Sequence, residues 1–103
     1  MLKDKMKSIL KERKIKALND DYGIQECWKK ITDTLSENES ETIQYLKQCD
    51  KEDLYWISEV FEDISEILQS PQFITCLRTL DKTFPELDLT HDIDIAESYL
   101  VKE

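Results

Sequence analysis

The stretch from Asp50 to Ser70, DKEDLYWISEVFEDISEILQS, decides how the chain is read. At about 100° per residue, Leu54, Ile57, Val60, Phe61, Ile64, Ile67 and Leu68 gather on one side of a helix. Glu52, Glu59, Glu62, Asp63 and Glu66 gather on the other. This is helical periodicity, not strand alternation. Asp50 followed by Asp53 resembles a capping box, with both acids favourably placed at the positive end of the helix dipole. Ser70-Pro71 ends the run, because the residue before a proline is pushed out of the α region. The expectation is one central helix over residues 51–69. Trp56 lies at the edge of its apolar face and Tyr55 projects toward the acidic one. They read either as a core lid and a solvated aromatic, or as anchors of a recognition surface.

The flanking segments read as packing partners of that helix. Residues 2–18 form a basic N-terminal helix, with Leu2, Met6, Ile9 and Leu10 near one stripe and Ile15 and Leu18 drifting off it. The lysines around the stripe suggest either a membrane or nucleic-acid surface, or a helix that docks by its stripe and pairs its cations with an acidic body. The latter is preferred. Asn19 to Gly23, holding the only glycine, is a break. A second helix follows over 24–35, with Ile24, Cys27, Trp28, Ile31 and Leu35 inward. Ser40 or Asn38 caps a short helix to Gln48, with Ile43, Leu46 and Tyr45 inward. Ser70-Pro71 starts the next helix, which carries Phe73, Cys76, Leu77, Leu80 and Phe84 and stops before Pro85. Thr90 or Asp88 caps a last helix to Lys102, with Ile93, Ala96, Tyr99 and Leu100 buried.

The sum is an all-α chain: one small domain over residues 1–103, with five to six helices packed as a bundle or as helical hairpins. A chain of this size buries roughly two-thirds of its unfolded surface and needs neither disulfide nor metal. No window approaches the roughly 18 apolar residues of a membrane span. The basic N-terminus lacks an apolar core to follow it, so no secretory signal is read and a cytoplasmic location is expected. Cys27, Cys49 and Cys76 are widely spaced, without a C-x-x-C pair, and read as buried reduced thiols.

Catalytic chemistry is not expected. There is no glycine-rich phosphate loop, H-E-x-x-H or G-x-S-x-G, and the only histidine, His91, sits among acids in the string THDID. Acidic pairs on one open helix face are usually solvated, and Asp88, Asp92 and Asp94 lack the glycine of a calcium loop. No cofactor is called for. Charge carries more information: residues 1–18 hold +5, and the remaining 85 hold −14, within a net charge of −9. Such a body is repelled by nucleic acid and attracted to a basic partner.

Three runs carry a resemblance: DLYWISEVFEDISEIL (53–68), SPQFITCLRTLDKTFPEL (70–87) and DIDIAESYL (92–100). Together they resemble the small all-helical immunity proteins of bacterial contact-dependent growth inhibition and related polymorphic toxin systems, over about residues 40–100. The resemblance implies a non-enzymatic inhibitor that is monomeric before binding and covers the active site of one cognate toxin domain, often a basic nuclease. It does not touch nucleic acid or membrane itself. No site is transferred residue by residue, and the basic first helix is left unexplained.

A nuclease cleft is positive because it attracts phosphate, so an inhibitor gains by placing carboxylates there. The expected contact face is Glu52, Tyr55, Glu59, Glu62, Asp63 and Glu66, with Asp88, Asp92 and Asp94 as a second patch. Charge reversal at Glu59 and Glu62 is expected to weaken toxin binding without changing helicity. Two alternatives stand beside this one. A secretion chaperone or adaptor would dimerise and expose an apolar groove. A regulator would use residues 1–18 on nucleic acid or an anionic membrane, in a salt-sensitive way.

Overall fold

A computed structural model of the chain describes residues 2–16 and 20–101, and these are helical with no strand among them. The α-helices are α1 (Leu2–Lys14), α2 (Asp21–Leu35), α3 (Glu39–Lys47), α4 (Lys51–Ile57), α5 (Phe61–Leu68), α6 (Pro71–Thr83) and α7 (Thr90–Ser98). Short 3-10 turns, Ser58–Val60 and Pro85–Leu87, join α4 to α5 and precede α7. The six expected helices are all present, but the central one is divided. Ser58 is buried and its hydroxyl donates to the Tyr55 carbonyl, an i to i−3 bond that competes with the α ladder. Val60 then leaves the helical well at φ −124° and ψ 16° before α5 resumes.

Local side chains set most starts. Asn38, Asp50 and Ser70 each accept the backbone N–H three residues on, from Glu41, Asp53 and Phe73. Pro71 occupies the first turn of α6. Asp53 does not close a reciprocal box, because its carboxylate is taken by Lys14 at 2.8 Å.

Other expected boundaries shift. The second helix begins at Asp21, not Ile24, and Gly23 lies inside its first turn. There the missing side chain serves a close approach: a Cβ on Gly23 would stand 2.5 Å from Asp20 Oδ2, the cap whose Oδ1 accepts the Gly23 N–H at 3.0 Å. α1 stops at Lys14 rather than continuing over Ile15 and Lys16, while Leu18 lies outside the described residues. α7 starts without a side-chain cap: Leu89 holds the cap position, Asp88 is left-handed, and the Thr90 hydroxyl donates to Asp81. It ends at Ser98, and Lys102 lies outside the described residues.

The core is built from the apolar stripes of all seven helices. Met6, Leu10, Ile31, Leu35, Leu46, Leu54, Ile57, Phe61, Ile64, Phe73, Leu77 and Ile93 are buried together, with Phe61 and Phe73 edge-to-face at 6.5 Å between centroids. Ile67 and Tyr99, both expected inward, are instead exposed, and Trp28 is half-buried. Leu89, in the connector before α7, tucks fully into the core.

α1 docks by its stripe against α2, α3 and α4, and its last turn reaches the acidic body. Arg13 binds Glu59, and Lys14 binds Asp53 and Glu52. α7 packs across α5 and α6. Ser65, fully buried on α5, fixes that crossing by donating to the Ala96 carbonyl at 2.6 Å. No helix of the described residues is long and apolar enough to cross a membrane.

Candidate functional site

The packing of α5 against α7 brings Asp92, one residue of the second expected patch, beside Tyr55, Glu59 and Glu62 of the first. A shallow depression of about 250 Å³ is lined by Tyr55, Ser58, Glu59, Glu62, Asp92 and Ile95. Tyr55, Glu59 and Glu62 come from the central stretch, and Asp92 comes from the last helix. α4 and the 3-10 turn present Tyr55 and Glu59 on one rim. The first turn of α5 places Glu62 next to them, and the first turn of α7 brings in Asp92. Ser58 and Ile95 complete the lining, and neither stands out in the sequence: Ser58 is polar within an apolar helix face, and Ile95 lies between Asp94 and Ala96 with no expected role.

The expected site residues are not electrostatically equivalent. Glu59 accepts from Arg13 Nε at 2.8 Å and Nη2 at 2.7 Å, and from the Trp28 indole N–H at 3.1 Å. It is therefore a structural junction between three elements, and its charge is already answered. The expectation that reversing it leaves helicity unchanged does not survive this geometry, since a cation at position 59 would face Arg13. Glu52 shares Lys14 with Asp53, and Asp94 pairs with Arg78 at 2.8 Å beside the Arg78–Glu97 bond.

Glu62, Asp63, Glu66, Asp88 and Asp92 make no ion pair among the described residues. Burial, and then the Glu66 carboxylate, push the Asp63 carboxyl above its ordinary range. Burial likewise raises Asp92; His91 draws it down and Asp88 adds to the rise. A cation placed beside either carboxylate would favour its charged form. Asp63 and Glu66 lie along α5 outside the depression, and Asp88 precedes α7.

The two aromatic residues divide their roles. Trp56 is half-buried beneath Arg13, whose guanidinium carbon stands 4.7 Å from the ring centroid. Tyr55 packs edge-on against Trp56 at 5.4 Å yet remains 52% exposed. Trp56 closes the core, while Tyr55 is free for contact at the rim of the depression.

No group of three metal-ligating side chains forms among the described residues. Cys27 and Cys76 are buried and Cys49 is half-buried, all unpaired as thiols. Burial pushes each thiol up, Cys49 to about 12, which keeps them protonated and poorly nucleophilic. His91 is exposed on the first turn of α7. The arrangement therefore offers carboxylates and a phenol for recognition. Set against known protein families, curated proteins and solved structures, the chain finds no match in any of the three.

Proposed function

We propose that the chain is an immunity-type inhibitor that neutralises a cationic toxin domain, a basic nuclease in the leading case, by covering its active site. The observation that carries this reading is the convergence of Glu62 and Asp92 from two helices, beside an exposed Tyr55, in one depression. Neither carboxylate has a cationic partner among the described residues. A basic cleft laid over them would meet negative charge where phosphate oxygens otherwise sit. Long-range attraction of the −9 chain speeds encounter, and Tyr55 slows departure through buried aromatic area. No covalent step, cofactor or metal is required, and the protein acts as a stoichiometric monomer in the cytoplasm.

The test is affinity capture from the source cells with tagged protein, followed by mass spectrometry, run in parallel with Glu62→Lys/Asp92→Lys. The reading expects one basic toxin domain at equal stoichiometry with the parent and its loss with the variant. Recovery of no basic toxin domain overturns the function. Its equal recovery by the variant removes this surface and leaves the inhibitor reading to another face. Glu59 is left unaltered, since it already holds Arg13 and the Trp28 indole.

A further inference from the structure

A second recess, of about 890 Å³, lies between α1 and the α3–α4 segment, and its character is opposite to that of the acidic depression. One wall is cationic: Lys3, Lys7 and Lys11 stand at i, i+4 and i+8 on α1 and make no ion pair among the described residues. The Lys14–Asp53 bond sits at the end of this row. Leu2, Tyr45 and Cys49 line the recess as partly buried apolar contacts, and Ile15 adds a side chain that is 75% exposed. The far wall is set by Glu41 and Asp50, with Gln44 and Gln48 alongside them.

We infer that this recess binds an amphipathic helix of a partner protein, one that carries a row of carboxylates along one flank of an apolar ridge. The row of free lysines rises one helical turn at a time over about 12 Å. A docked helix bearing Glu or Asp at the same four-residue spacing meets all three while its ridge lies on Tyr45 and Cys49. A fatty acid has a single carboxylate and leaves two of the three lysines unanswered. Nucleic acid or an anionic membrane would present negative charge across the whole recess and would meet Glu41 and Asp50 on the far wall. A one-sided distribution of acid on the occupant satisfies both walls. This surface shares no residue with the acidic depression and stands whether or not the toxin reading holds.

The experiment uses the full chain and a fluorescein-labelled synthetic helix with Glu at i, i+4 and i+8 beside a leucine ridge, followed by anisotropy. A Glu→Gln peptide and sodium oleate serve as comparisons. Three exposed charge pairs are expected to make the acidic peptide bind about tenfold more tightly than its Gln analogue, an advantage lost in Lys3→Glu/Lys7→Glu/Lys11→Glu. Amide shifts at Tyr45, Gln48 and Cys49 should accompany binding, and circular dichroism checks that the variant is folded. Equal binding of the two peptides, binding undiminished in the folded triple variant, or displacement of the peptide by oleate with loss of the same amide shifts overturns the inference. So does sedimentation showing a self-dimer that the triple variant dissolves, since a second copy then occupies the recess.

Discussion

Arg13 on α1 and Glu59 in the turn after α4 are joined by two hydrogen bonds, Nε to Oε1 at 2.8 Å and Nη2 to Oε2 at 2.7 Å. The guanidinium also covers Trp56, and Glu59 holds the Trp28 indole. Four side chains from α1, α2, α4 and the 3-10 turn thus form one polar seam over the core. The Arg13 side chain is 8% exposed and that of Glu59 is 26% exposed, so the pair lies between the surface and buried limits. Arg13→Ala is expected to lower stability by about 1–3 kcal/mol, through an unanswered carboxylate and lost packing on Trp56. A urea-unfolding cycle with Glu59→Gln checks this: the double variant should lose less than the sum of the singles.

Ser65→Ala tests the crossing that brings Asp92 to Glu62. Ser65 has no exposed surface and its hydroxyl reaches the Ala96 carbonyl at 2.6 Å. Removing a buried neutral hydrogen bond costs about 1 kcal/mol. Thermal unfolding should register that loss, and amide exchange should rise at the ends of α5 and α7 before it rises in α2. Uniform exchange across all helices would show that the bond adds stability without fixing this crossing.

Three of the caps and most of the apolar stripes were legible in the sequence because they are local chemistry, whereas the expected Thr90 or Asp88 cap does not form. Asn38, Asp50 and Ser70 each bond an amide three residues away, and Pro71 needs no distant partner. The division of the central helix was not legible. It involves neither glycine nor proline, only the buried Ser58 hydroxyl turned onto a carbonyl of its own helix.

The site was half legible for a similar reason. Periodicity placed Tyr55, Glu59 and Glu62 on one face, and their fates then diverged through partners far along the chain. Arg13 lies 46 positions from Glu59. It did leave a signal, since it continues the buried row of Met6 and Leu10 at helical spacing. A cation on an apolar stripe calls for a buried partner. Nothing local could join Asp92 to Glu62, because only the packing of α5 on α7 does so.

Asp88 occupies the left-handed region at φ 53°, with its side chain exposed. A non-glycine residue there carries a conformational cost that glycine avoids. Asp88→Gly is expected to raise stability by about 0.5–1 kcal/mol, measured by thermal unfolding. Gln69, left-handed at φ 49°, should behave oppositely despite the same backbone geometry. Its amide nitrogen donates to the Glu66 and Tyr99 carbonyls, and its oxygen accepts the Val101 N–H. Gln69→Gly would relieve the backbone and cut those ties, so it should destabilise.

Acid should stabilise the fold through Asp63 and Asp92 where most proteins lose stability. Both carboxyls are raised above the ordinary 3.8 in the folded chain, chiefly by burial. The folded state therefore holds these protons more tightly than the unfolded state, and stability falls as pH rises. Their favourable contribution is complete below 3.8 and is lost as pH climbs through the folded values. Asp63→Asn and Asp92→Asn remove the titrating charge. Each should be more stable than the parent at neutral pH and should converge with it as pH drops toward 4, in urea melts taken across that range. A parallel pH dependence in parent and variants would mean that folding does not raise these two carboxyls. A cationic partner laid over the depression should lower the Asp92 pKa. Complex formation would then release protons from the protein over the range in which Asp92 titrates, and the buffer dependence of the binding heat measures that release directly.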